Sequence, residues 1–127
     1  MRYLLKYFCF SISILLILII IIEISIFKEK SQRATARAQI NEFSKVLKYY
    51  KKYYGNYPVN LKKLTMTMIK KQNVYLSLIP VIPLDPWGKE YIYLVNYNKD
   101  KYKIISYGAD NKLGGHGKDK DIIRIGK

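Results

Sequence analysis

From Tyr7 to Phe27 the chain is almost wholly apolar, dominated by Ile and Leu, with no Pro or Gly inside. A helix needs about 20 such residues to cross the hydrocarbon core of a bilayer. Lipid offers no partners to backbone N–H and C=O groups, so a lone segment of this kind is restricted to a helix. Arg2 and Lys6 precede the run, and Lys28, Lys30, Arg33 and Arg37 follow it. A cleaved secretory signal has a shorter apolar core with a small-residue site close behind. Ala34-Thr35-Ala36 has that pattern but lies well past the run, among basic residues. The segment therefore reads as an uncleaved anchor at 7–27, behind a basic flank at 1–6 and ahead of a globular region at 28–127.

Glu23 stands out in the apolar run. A carboxylate there costs a few kcal/mol unless it is paired or reaches the interface. Two readings stay open: a side chain snorkelling at the end of the span, or a contact with a neighbouring subunit's helix or N-terminus. Cys9 is the single cysteine, so no intrachain disulfide and no cysteine metal site can form. It reads as an apolar filler.

The remaining length suits one small domain, since the whole chain has 127 residues. A small core is marginal, and a bound metal or assembly with neighbours would support it. Net charge is +14, which favours acidic partners, anionic membrane or nucleic acid without specifying a fold. A Lys-, Ile- and Tyr-rich compositional habit accounts for that charge more simply than dedicated nucleic-acid binding.

From Ser31 to about Tyr54 no Pro or Gly occurs. Ile40, Phe43, Leu47, Tyr50 and Tyr54 advance by threes and fours, which places them on one helical stripe. Lys45, Lys48, Lys51 and Lys52 take the other side, as a solvated face. No break separates the apolar run from this stretch, so one long helix is expected. Gly55 with Pro58 three residues on ends it. Leu61-Lys62-Lys63-Leu64 reads as a short helical turn, and Thr65 to Ser77 as helix or irregular packing.

Pro80, Pro83 and Pro86 exclude regular helix from the next segment. Asp85-Pro86-Trp87-Gly88 is a tight-turn sequence. Trp87 is expected to pack on the amphipathic helix. Tyr91–Val95 and Tyr102–Tyr107 read as an antiparallel hairpin around Asn96–Asp100, and Ile122–Ile125 as a third strand. The fold class is α+β: a long N-terminal helix, transmembrane in front and amphipathic behind, packed on a small three-stranded antiparallel sheet.

Between the last two strands lies a loop with four glycines, Gly108, Gly114, Gly115 and Gly117, and three aspartates, Asp110, Asp119 and Asp121. Carboxylates this close repel unless a cation, solvent or a base sits among them. The chemical reading is a calcium site of carboxylates and backbone carbonyls. The plain reading is a solvated turn, since Gly and Asp dominate turns and the EF-hand pattern with its Glu is missing.

Three motifs in order carry a resemblance. They are Tyr53 to Pro58, then Leu84-Asp85-Pro86-Trp87-Gly88-Lys89-Glu90-Tyr91, then the Ser106 to Ile122 run with Gly108-Ala109-Asp110 and Asp119-Lys120-Asp121. Behind an apolar helix, this set resembles the major pseudopilins of type II secretion systems, within the type IV pilin-like superfamily. The resemblance implies a pilin-like fold and a calcium ion in the loop between strands two and three. It matches Asp110, Asp119 and Asp121 to the family's acidic ligands and Tyr107 to a carbonyl ligand. His116 is expected to be a solvated loop residue, because calcium prefers oxygen.

The resemblance also implies a structural role without chemistry of its own. Subunits would pack through their N-terminal helices, with other secretion-system subunits, into a pseudopilus anchored in the bacterial inner membrane. The C-terminal domain would lie in the periplasm. The count of basic flanking residues taken alone puts that domain in the cytoplasm, so the two signals conflict. The family's leader ends in Gly before Phe-Thr-Leu-Ile-Glu, whereas no glycine precedes Gly55 here. Processing at such a site is not expected, and the role of that family glutamate is not carried to Glu23.

A competing reading is a membrane-anchored pilin-like protein that binds DNA in uptake. The charge and the thirteen tyrosines favour it, through stacking on single-strand bases. An enzyme is not expected: the lone His has no Cys or Ser motif beside it, and the acids sit in a glycine loop rather than an apolar pocket.

Overall fold

A computed structural model describes residues 2–71 and 74–127, with side chains from position 6 onward except those of residue 9 and of 68–77. Helix α1 runs Arg2–Tyr54 and α2 runs Lys62–Met66. Strands β1 (Met68–Lys71) and β2 (Val74–Ser77) follow, then β3 (Ile92–Val95) and β4 (Tyr102–Ser106). A 3-10 turn (Gly117–Asp119) leads to β5 (Ile122–Gly126). The chain divides into two compact units, Met1–Ser31 and Gln32–Lys127.

The first unit is helical throughout its described residues. Its apolar side chains have no protein cover: Leu16, Ile20 and Phe27 are 55%, 54% and 75% exposed. A helix that is apolar all round belongs in lipid or among other helices. Its most apolar stretch reaches a mean hydropathy of 2.9, long and apolar enough to cross a membrane. The Ser11 hydroxyl donates to Phe8 O at 2.8 Å, which satisfies that hydroxyl within the helix. The Cys9 side chain lies outside the described residues.

In the second unit the rear of α1 buries one stripe. Ala36, Ile40, Phe43, Leu47 and Tyr50 are buried, and Phe43 meets Tyr91 edge-on at 5.2 Å. Full burial of a side chain such as Leu47 contributes about 1.5–3 kcal/mol. Ser44 also lies on this side, its hydroxyl spent on Ile40 O at 2.9 Å. Tyr54 departs from the expected stripe. It is 52% exposed and stacks on Tyr50 at 4.4 Å, because the core ends one helical turn before the helix does.

The sheet has the order β3-β4-β5 and is antiparallel throughout. Its register pairs Tyr93 with Ile104, Ile104 with Arg124 and Ser106 with Ile122. Strand residues alternate faces, so Tyr102, Ile104 and Ser106 share the buried one. Tyr57 closes the open end of the core. Its ring meets Tyr102 edge-on at 4.7 Å, Lys51 Nζ sits 4.6 Å above it, and its hydroxyl donates to Lys127 O at 2.9 Å.

The stretch read as helix or irregular packing is corrected by the structure. After α2 the chain turns extended at Thr67 and forms a separate antiparallel hairpin, with Ile69 opposite Leu76. Leu78 N donates to Thr67 O at 3.2 Å and Ile79 N to Leu64 O at 3.4 Å, which fastens the hairpin's base to α2. Trp87 is half-buried and packs against the core cluster, to which α1 contributes Ala36, Ile40, Phe43, Leu47 and Tyr50.

Candidate functional site

A turn and the start of a loop meet around a buried carboxylate. Asp85 is 4% exposed. Its Oδ1 accepts Trp87 N at 3.1 Å and Lys89 N at 2.8 Å, and its Oδ2 accepts the Ser106 hydroxyl at 2.6 Å. The turn itself closes through Gly88 N to Asp85 O at 2.8 Å and Asp85 N to Lys89 O at 2.7 Å. A buried charge is tolerated when hydrogen bonds satisfy it, and these donors do that. The Tyr91 hydroxyl is held well above the usual tyrosine range by burial and then by the Asp85 charge. It donates to Gln39 Oε1 at 2.5 Å.

Ser106 ends β4, and the glycine/aspartate loop begins just past it. The loop doubles back tightly. Ala109 N donates to Lys118 O at 3.0 Å, and Asp121 N to Gly114 O at 3.2 Å. Gly108 and Gly115 have φ of 71° and 80° and both lie against the Asp119 backbone. A Cβ at Gly108 would stand 2.9 Å from Asp119 O, and one at Gly115 would stand 2.6 Å from it. Glycine is required at both places by conformation and by space.

The structure places the expected ligands unequally. Asp121 is half-buried: Oδ2 accepts Gly114 N at 3.0 Å, while Oδ1 is buried with no hydrogen-bond partner. Asp119 is half-buried in the 3-10 turn, its N–H donating to His116 O at 3.0 Å. Asp110 is exposed and accepts Lys112 N at 3.1 Å, a local turn bond. Tyr107 is half-buried at the loop's entry. His116 is exposed. Among the described residues no three Asp, Glu, His or Cys side chains converge as a metal-holding group. Proximity in sequence therefore does not gather all three aspartates.

The donor set nonetheless suits a hard cation. An unpartnered buried carboxylate oxygen is costly unless something charged meets it. Asp121 Oδ1 is such an atom. Oxygen ligands from carboxylates and carbonyls are what calcium takes.

Several structural residues were not singled out from sequence: the Asp85 side chain, Ser106, Gln32, Arg33 and Gln39. Gln32 Nε2 donates to Pro86 O at 3.1 Å and Gln39 Nε2 to Leu84 O at 3.4 Å, so α1 holds both sides of the Asp85 turn. Arg33 donates into the loop. The tight-turn sequence could have marked Asp85 as a side-chain acceptor; the others had no local signal.

The sequence model of the family described as type II secretion system (T2SS), protein G matches residues 24–125. Over 41 residues the chain is 46% identical to the type II secretion system core protein G of Pseudomonas aeruginosa, a stretch covering 32% of this chain and 29% of that protein. Over 101 residues it is 31% identical to the type II secretion system core protein G of Vibrio cholerae, covering 75% of this chain and 69% of that protein. The match takes in the Asp85 turn, the loop, β3, β4 and all but the last residue of β5, and the chain belongs to the type II secretion system protein G family.

Proposed function

We propose that this chain is a structural subunit of a type II secretion pseudopilus. Helix 7–27 anchors it in the inner membrane and residues 28–127 lie in the periplasm. Subunits associate with one another through the apolar helix and with the other components of the secretion system. The observation that carries this reading is the family match across 24–125. The exposed apolar helix supports it, since such a surface demands lipid or neighbouring helices. No step of chemistry is assigned to the chain.

Calcium in the glycine/aspartate loop is part of the same proposal. Asp121 and Asp119 would hold the ion, Tyr107 would contribute its carbonyl, and Asp110 would complete the set. When bound, the ion supplies a divalent charge that takes roughly six to eight oxygen ligands. The chain's own part is to shape the loop: Gly108 and Gly115 let the backbone close, and Gly114 N orients the Asp121 carboxylate. Closure of the loop holds β5 against β4, and binding to the folded state alone adds to its stability.

Two measurements test the reading. The full chain is expressed in a secretion-competent cell that lacks its own protein G, and exoprotein in the medium is assayed. Secretion restored by this chain, with filaments that cross-link through the helix, is the expected result. A chain that inserts, folds and remains monomeric would sink the assembly reading. For calcium, the full chain in detergent micelles is melted with the ion and then with chelator. Equal midpoints would remove calcium from the proposal and leave the assembly reading standing.

A further inference from the structure

Arg33 is half-buried on α1, within the second compact unit. Its Nη1 donates to Gly117 O at 2.8 Å and to Lys120 O at 2.8 Å, 84 and 87 residues further along the chain. A terminal guanidinium nitrogen carries two hydrogens, so one atom can serve both acceptors. Those carbonyls bracket Asp119, and Lys120 separates Asp119 from Asp121. Gly117 O also accepts Lys120 N at 3.3 Å, so the guanidinium grips a turn that is already closed. Bonds from a charged donor are roughly twice as strong as neutral ones. The loop's other internal ties run from backbone or aspartate groups within the loop itself. Arg33 is a tie that comes from the helix.

We infer that Arg33 is the positioning residue of the glycine/aspartate loop. It fastens the Gly117–Asp121 backbone to α1 before an ion arrives, so that Asp119 and Asp121 stand preset for calcium. This rests on the calcium reading above. Gly117 O and Lys120 O are engaged by the guanidinium, which leaves the ion the Asp119 and Asp121 side chains and carbonyls elsewhere in the loop. Linkage is reciprocal: if Arg33 raises calcium affinity through the loop, calcium must in turn strengthen the loop's hold on α1.

The test uses the full chain in detergent micelles, with Arg33→Met, Arg33→Lys and the exposed neighbour Arg37→Met. Hydrogen exchange is followed in chelator, and calcium affinity by titration with calcium chloride. In Arg33→Met, the amides of Asp119, Lys120 and Asp121 should exchange about tenfold faster than in the parent, while Leu47 and Ile104 keep their rates. The calcium Kd should rise about tenfold, the loss of one charged hydrogen-bonding group. Arg33→Lys should recover part of both, and Arg37→Met should change neither.

Unchanged loop exchange in Arg33→Met would overturn the inference. So would faster exchange with an unchanged Kd, because Arg33 would then hold the loop without presetting the site. Equal weakening by Arg37→Met would reduce the effect to bulk charge and overturn it as well. A parent that takes up no calcium overturns the calcium reading instead, and the chelator exchange alone then decides whether Arg33 holds the loop.

Discussion

Ser106 Oγ donates a 2.6 Å hydrogen bond to Oδ2 of Asp85, 21 residues before it in the chain. Both residues are buried, at 1% and 4% exposed. The bond joins the end of β4, where the glycine/aspartate loop departs, to the turn that precedes β3. Asp85 is thus shared between a turn it closes and a loop it anchors.

Asp85→Ala should lower the stability of the folded unit by about 2–4 kcal/mol, since it strands the Ser106 hydroxyl and two backbone N–H groups in a dry site. Ser106→Ala should cost less, because Asp85 keeps its two backbone donors. In a double-mutant cycle by chemical denaturation, the loss in the double mutant should fall short of the sum of the two single losses. Strict additivity would mean that the bond contributes nothing of its own.

Asp121→Asn should act with opposite sign in two conditions. In chelator the buried Oδ1 has no partner, so removing the charge relieves a cost, and the variant should be as stable as the parent or about 1 kcal/mol more stable. In saturating calcium the parent should gain and the variant should not. Melts of the full chain in micelles, with and without the ion, would show the order reverse. A variant less stable than the parent in chelator would mean that the carboxylate is already satisfied there.

Alkaline pH should weaken the fold through Tyr93. Burial, then the neighbouring Tyr102, Tyr57 and Tyr50 hydroxyls, hold its phenol well above the usual range, and it donates to Pro58 O at 2.9 Å. The folded state keeps the proton where the unfolded chain releases it. The contribution is therefore complete below about pH 10, the ordinary tyrosine value, and is lost as pH rises through the folded value. Denaturation from pH 8 to 11 should show the parent's stability falling at the alkaline end. Tyr93→Phe should fall less steeply, whatever its starting stability, and parallel curves would assign the loss to other groups.

Much of this fold was legible because periodicity reports burial. The threes and fours of Ile40, Phe43, Leu47 and Tyr50 are the buried face of α1, and the β-branched and aromatic runs are β3, β4 and β5. Tyr54 keeps the period without the burial, because a sequence pattern does not say where the opposing layer stops. The β1–β2 hairpin was not legible, since short apolar runs suit either period. The loop's glycines were readable as a tight fold. The inequality of Asp110 and Asp121 was not, because it depends on how the backbone turns around them. Arg33 carried no signal: a bond spanning 84 residues leaves no local trace, and the residue resembled its basic neighbours at the end of the apolar run.

Gly114 and Gly115 provide the sharpest comparison in the loop. Both have positive φ, 101° and 80°, so alanine at either position meets backbone strain of about 1–2 kcal/mol. Their surroundings differ. A Cβ at Gly114 meets nothing within 4 Å, whereas one at Gly115 stands 2.6 Å from Asp119 O. Gly115→Ala should therefore cost about 1–3 kcal/mol more than Gly114→Ala, from overpacking against backbone that cannot easily yield. Displacing Asp119 should also weaken calcium in the first variant more than in the second. Chemical denaturation in chelator reads the first difference and calcium titration the second. Equal losses in both would mean that Gly115 is required for its conformation alone, with the close approach to Asp119 contributing nothing.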